Sequence, residues 1–127
     1  MKYLIDSDIL VDHIRGRKYL DVGIVEAGLS MSIINLAELF YGAYRSEDIS
    51  KSLQKIDALF SLGIKVANLN SQVIEKYAQL KVSLEIKGQK LDEFDLLIAA
   101  TALVNNLIIV TRNLGHFKRI KGLKIAE

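Results

Sequence analysis

Asp6, Glu38 and Asp95 each sit where a hydrophobic run meets a helical pattern. There a carboxylate can cap a helix or ligate a cation. Asp6 directly follows the apolar run Tyr3-Leu4-Ile5, so it closes a strand before it opens anything else. In chains that alternate strands and helices, ligand sites form at the carboxyl ends of the strands, which makes Asp6 a candidate for chemistry. Asp8, two residues on, reads as the cap of the helix that follows. Glu38 stands three residues after Asn35, the spacing of a capping box, and on its own terms reads as a helix-start device. Asp95 stands three residues after Asp92 and can be read the same way. It is followed, however, by Leu96-Leu97-Ile98-Ala99-Ala100, and an acid at the mouth of so apolar a helix is desolvated and needs a partner.

Acids near helix N-termini are held ionised by the helix dipole, and if three of them converge their repulsion calls for a cation. The donors are all oxygen, with no cysteine and no pair of histidines, so Mg²⁺ or Mn²⁺ suits them better than zinc. His13 and His116 are solitary and read as surface or core-edge hydrogen bonders outside the metal set.

Positioning these groups falls to elements read from periodicity. Tyr3–Ile5 is a short buried strand leading to a helix that carries Ile9, Leu10 and Ile14 and ends near Gly16. Helices follow at Tyr19–Ala27, stopped at Gly28, and at Leu36–Tyr44, with a strand over Ser30–Ile34 between them. Apolar spacing marks amphipathic helices over Ile49–Phe60 and Val73–Ile86, separated by a strand over Ile64–Ala67. Leu96–Val104 is apolar nearly all round, as in a helix packed on several sides, and Leu107–Val110 is a central strand; Leu123–Ala126 adds an edge strand. The alternation predicts an α/β fold, a mainly parallel sheet flanked by helices, with Asp6 and Asn113 at its site-bearing end.

The 127 residues suffice for one domain, 1–127, with no proline, repeat or low-complexity linker to divide them. Half the chain is hydrophobic and a quarter charged, too apolar for disorder. The start reaches an acid after three apolar residues, short of a secretory core of about 7 to 15, and Leu96–Val104 is about half of a membrane span of roughly 20. A soluble, cytoplasmic protein without membrane association is expected, and the lack of cysteine permits a reducing compartment. The net charge of +2 does not itself identify a nucleic-acid partner, but Arg112–Lys124 holds five bases and no acid. A basic segment beside an acidic site suits a polyanion cut with metal. The helices over Ile49–Phe60 and Val73–Ile86 carry more apolar surface than one small sheet covers, which predicts a homodimer.

Taken together, Tyr3 to Leu10, Asn35 to Ala43, Asp95 to Leu103 and Thr111-Arg112-Asn113-Leu114-Gly115-His116-Phe117 resemble, in order and spacing, the motifs of PIN-domain ribonucleases of the VapC toxin type. The match runs almost end to end. The resemblance implies a PIN-like fold, with Asp6, Glu38 and Asp95 as the acidic metal ligands, Ser7 as the site hydroxyl and Asn113 in a fourth acidic or amide position. Asp8 stands where asparagine is frequent, and the neutral Asn113 leaves one fewer anionic ligand, which favours one tightly held ion over a preformed pair. The activity implied is Mg²⁺- or Mn²⁺-dependent hydrolysis of RNA phosphodiesters by a metal-activated water, without a covalent intermediate. Ser7 and Asp8 stand behind the ligands, Ser7 and Asn113 orient ligands or water, and Arg112, Lys118 and Arg119 are candidates for holding RNA phosphates. Single-stranded loops are the expected targets. The family also implies growth inhibition, a cognate antitoxin and homodimerisation.

Three rival readings are weaker. Asp6-Ser7-Asp8 resembles the two-aspartate motif of haloacid-dehalogenase-like phosphotransferases, with Asp6 as nucleophile, but Leu10 replaces the Thr or Val expected two residues after the second acid and no length remains for a cap insertion. A receiver domain would need an Asp after the third strand, where Ala67-Asn68-Leu69-Asn70 offers only amides. A non-catalytic PIN-like RNA-binding module is disfavoured by the retention of all three acids.

Overall fold

The computed structural model describes residues 2–126, so the two end residues of the expected domain 1–127 lie outside it. Four short strands, β1 (Tyr3–Ile5), β2 (Leu29–Ser32), β3 (Lys65–Ala67) and β4 (Ile108–Val110), form one sheet in the order β3-β2-β1-β4. Every pairing is parallel. Between the strands run α1 (Ser7–Ile14), α2 (Val22–Ala27), α3 (Ile33–Tyr44), α4 (Ile49–Phe60), α5 (Ser71–Ile86) and α6 (Glu93–Val104), and α7 (Leu114–Phe117) follows β4.

Both faces of the sheet are covered, as parallel sheets require. Alternation along β1 sends Leu4 to one core, with Ile98, Ala99, Ile109 and Phe117, and Ile5 to the other, with Leu10, Met31, Leu39 and Leu59. Helix α6 has Ala99, Ala100 and Ala102 wholly buried, and these small residues let it lie close on its neighbours. The all-round apolar pattern of Leu96–Val104 therefore meant what it suggested.

The order of the strands decides where a site can form. From β1 the chain moves outward to β2 and β3, then returns through α5 and α6 to place β4 on the other side of β1. The carboxyl ends of β1 and β4 flank the point where the winding reverses, the crevice in which such sheets bind ligands. The Asp6 N–H donates to Val110 O at 2.9 Å, tying the two strand ends together.

Several local expectations need correction. The cap of α1 is Asp6, whose Oδ1 accepts the Ser7 N–H at 2.8 Å; Asp8 is already inside the first turn. The second strand stops at Ser32 instead of Ile34 because Ser32 caps α3 in a reciprocal box with Asn35, so Asn35 is not the cap. Glu38 consequently lies in the second turn and takes no part in the box. Helix α2 begins at Val22, after an Asp21 cap, and residues 15–21 form a loop. The edge strand expected over Leu123–Ala126 reduces to a single parallel bridge between Ile109 and Ile125. Helix α7 was not anticipated. Among the described residues no helix is long and apolar enough to cross a membrane.

Candidate active site

Asp6 is 7% exposed and held from three sides. Its Oδ1 accepts from the Ser7 N–H and from Asn35 Nδ2 (3.1 Å), and its Oδ2 accepts from Thr111 Oγ1 (2.7 Å). The donors come from α1, α3 and the loop after β4, the three segments that leave the carboxyl ends of β1, β2 and β4. Asn35 is the hub. Fully buried, it accepts from the Ser32 N–H and hydroxyl through Oδ1 and donates from Nδ2 to Asp6 and to Ser7 Oγ (3.0 Å). Ser7 in turn donates to Glu38 Oε1 at 2.7 Å. One amide thus fixes two carboxylates, the second through a hydroxyl. Asn35→Ala should destabilise the chain by about 2 kcal/mol, the scale for leaving buried polar partners unmade. Urea titration against wild type measures it, and an unchanged midpoint would remove Asn35 from this role.

Asp95 is the third residue of α6 behind an Asp92 cap, as the spacing predicts. Its Oδ2 lies 2.8 Å from His116 Nδ1, which is also 2.9 Å from Asn113 Nδ2. With its proton that nitrogen donates to Asp95; without it, it accepts from the Asn113 amide. His116 is a hydrogen bonder, as expected, but its partners Asp95 and Asn113 are both cleft residues, a contact that the sequence reading did not foresee. The signal was available: Asn113 stands at the N-cap position of α7 and His116 is three residues on, where a side chain reaches back toward the cap.

Asp8 accepts the Ile9 N–H at 2.7 Å through Oδ1 and the Arg112 N–H at 3.1 Å through Oδ2, pinning the loop after β4 to α1. Asp6, Ser7, Asp8, Glu38, Asp95, Arg112 and Asn113 together line one open cleft. Lys118 and Arg119 do not reach it: Phe117 is buried beneath α7, both are exposed beyond it, and the Arg119 guanidinium donates to Lys90 O.

Burial pushes the Asp6 carboxyl above its ordinary range, and the nearby charges of Asp8 and Asp95 add to this against the lowering effect of its hydrogen bonds. Glu38 is raised likewise, first by burial and then by Asp6, Asp95 and Asp92. The cleft thus concentrates negative charge that solvent does not fully relieve. Among the described residues no three acidic or histidine side chains stand close enough together to hold one ion; Glu38 accepts from the Ser7 hydroxyl and Asp95 contacts His116.

Comparison with known proteins agrees with this architecture. The family model described as PIN domain matches residues 3–123. The chain belongs to the PIN-domain family. This PIN domain is 31% identical to the Ribonuclease VapC2 of Rickettsia felis, over 97% of this chain and 95% of the relative. It is 28% identical to the tRNA(fMet)-specific endonuclease VapC of Salmonella typhimurium, over 100% of this chain and 98% of the relative. Among solved structures it resembles VapBC2 from Rickettsia felis bound to a DNA fragment from their promoter, with a TM-score of 0.91, 30% identity and coverage of 99% and 98% of the two chains. The PIN-like fold expected from the motifs is therefore the one observed.

Proposed function

We propose that this chain is a divalent-metal-dependent endoribonuclease, the toxin of a toxin–antitoxin pair. The observation that carries the reading is that Asp6, Glu38 and Asp95, far apart in sequence, line one cleft at the carboxyl ends of β1 and β4. Ribonuclease and endonuclease names of near-full-length relatives support the reaction class.

The donor set fits a hard cation: carboxylate, amide and hydroxyl oxygens, two of the carboxyls raised by burial and by one another. Asp6, Glu38 and Asp95 would hold Mg²⁺ or Mn²⁺. Such a cation supplies Lewis-acid polarisation of the phosphate and assists attack by water in line with the leaving oxygen. Asn35 and Thr111 keep Asp6 fixed, Ser7 orients Glu38, His116 orients Asp95, Asn113 lines the cleft, and Arg112 stands at the edge to meet a strand phosphate. No residue needs to form a covalent bond to phosphorus.

A groove lined by Val11, Ile14, Leu39, Ala43 and Ile56 shares Glu38 with this site and suits an apolar segment of the antitoxin. The VapBC2 structure supports such a partner. Ile49 and Phe60 on α4 and Ile74, Val82 and Ile86 on α5 are exposed, which supports homodimerisation; sedimentation at micromolar concentration should show a dimer, and monomer alone would refute it.

Brief expression followed by end-mapping of total RNA should yield discrete new ends that Asp6→Ala does not produce. In vitro, chelation should abolish cleavage and Mn²⁺ restore it; full activity after exhaustive chelation would refute the reading. Stability gives an independent check. Asp6 and Glu38 keep their protons to higher pH in the folded chain than their ordinary values of 3.8 and 4.5, so the folded state binds more protons across the window above those values. Their ionisation therefore lowers stability as pH rises through it. Mn²⁺ should raise Tm above that window and not at pH near 4, and Glu38→Gln should flatten the pH-dependent loss. An equal Tm increase at both pH values would contradict this charge balance.

A further inference from the structure

Among the described residues Asp12 is the one buried charged side chain besides Asp6, and the proposed chemistry gives it no task. It lies one turn beyond Asp8 on α1. Its Oδ1 is 3.4 Å from Arg17 Nε and its Oδ2 3.4 Å from Arg112 Nη1. Two distant segments are drawn to it. The turn after α1 wraps round its carbonyl, which accepts the N–H of Arg17 at 2.9 Å and of Lys18 at 3.4 Å. Arg112 arrives from the loop after β4, its backbone N–H fixed by Asp8 Oδ2, from which its Nε also lies 3.8 Å away.

Stability alone does not account for this arrangement. Ion pairs this long, made by arginine side chains 56% and 62% exposed, contribute little, whereas burying a carboxylate is costly. What the arrangement does provide is orientation. One carboxylate faces two guanidinium groups, each of which has donors left over in solvent, in the planar fork that suits phosphate. Arg15 and Lys18 are exposed on the same turn, and Arg112 lines the cleft.

We propose that Arg112 and Arg17 form a clamp for successive phosphates of an RNA strand leading away from the cleft, with Asp12 as the residue that positions both. This rests on the nuclease reading and adds a binding subsite to it. The strand is held by its backbone here, so the clamp contributes grip and register and leaves base selection to other contacts.

The test measures binding of a fluorescent single-stranded oligoribonucleotide by anisotropy in EDTA, over a range of salt, and steady-state cleavage with Mn²⁺. Arg17→Ala and Arg112→Ala should each lower the slope of log affinity against log salt by about 0.7 and weaken binding about five-fold at 0.1 M salt. KM should rise with kcat retained for Arg17→Ala, and Lys87→Ala, which removes an exposed charge on α5's far end, should change neither. Asp12→Asn is the sharper variant. Removing a negative charge should tighten RNA binding if only bulk electrostatics act, whereas loss of positioning should raise KM while the salt slope stays near wild type. Tighter or unchanged binding by a folded Asp12→Asn chain would remove Asp12 from the clamp, and an unchanged slope for Arg17→Ala would overturn the subsite. If wild type neither binds nor cuts RNA, the nuclease reading itself fails; if it does both and the arginine variants match it, only the clamp fails.

Discussion

Asp95→Asn should leave a folded chain that no longer cuts RNA. The substitution keeps size, Asp92 still caps α6, and the new amide oxygen can accept from His116, so helix and loop hold their places. What is lost is one of the three proposed anionic ligands. Residues that merely orient a ligand cost about 10 to 100-fold when removed, so losing a ligand should cost more than roughly 100-fold in single-turnover cleavage. Circular dichroism and a Mn²⁺ titration separate the causes: an unfolded variant is uninformative about ligation, whereas a folded one with near-wild-type activity would remove Asp95 from the site.

Glu38→Gln and Asp8→Asn should diverge in the direction that a phosphotransferase forbids. Were Asp6 a nucleophile with Asp8 as its acid/base partner, Asp8→Asn would be crippling and Glu38→Gln mild. Here Glu38 faces the cleft and accepts from Ser7, so Gln should abolish cleavage as severely as Asp95→Asn. Asp8 instead serves the Ile9 and Arg112 N–H groups with its two oxygens. Asparagine has one oxygen for two donors, so the expected loss is about 1 kcal/mol of stability, with cleavage largely kept. RNA cleavage and small-phosphoester hydrolysis should be measured side by side. An inactive Asp8→Asn with an active Glu38→Gln would overturn the nuclease reading.

The sequence revealed elements whose signals are local. β1 and β4 are apolar runs, α6 is apolar all round, and Asp6 was found by its position after a strand. Capping was misplaced because several oxygen-bearing residues lie within two or three positions of each helix start, and only the fold decides which has extended backbone. Ser32 outcompeted Asn35, and Asp6 outcompeted Asp8. The supports of the site were hidden for a different reason. Asn35 and Thr111 reach Asp6 across 29 and 105 residues of sequence, and no periodicity announces such a meeting. The basic C-terminal segment was visible as charge, but Lys118 and Arg119 lie exposed after the buried Phe117 and do not line the cleft.

The bond from Thr111 to Asp6 also bears on when activity can arise during synthesis. A ribosome that has made residues 1–106 has already supplied all three acids, but neither β4 nor the hydroxyl that secures Asp6. Pairing β4 beside β1 is a non-local step that local helix formation cannot replace. The first acid of the cleft is therefore secured only once the last strand has been delivered to the first.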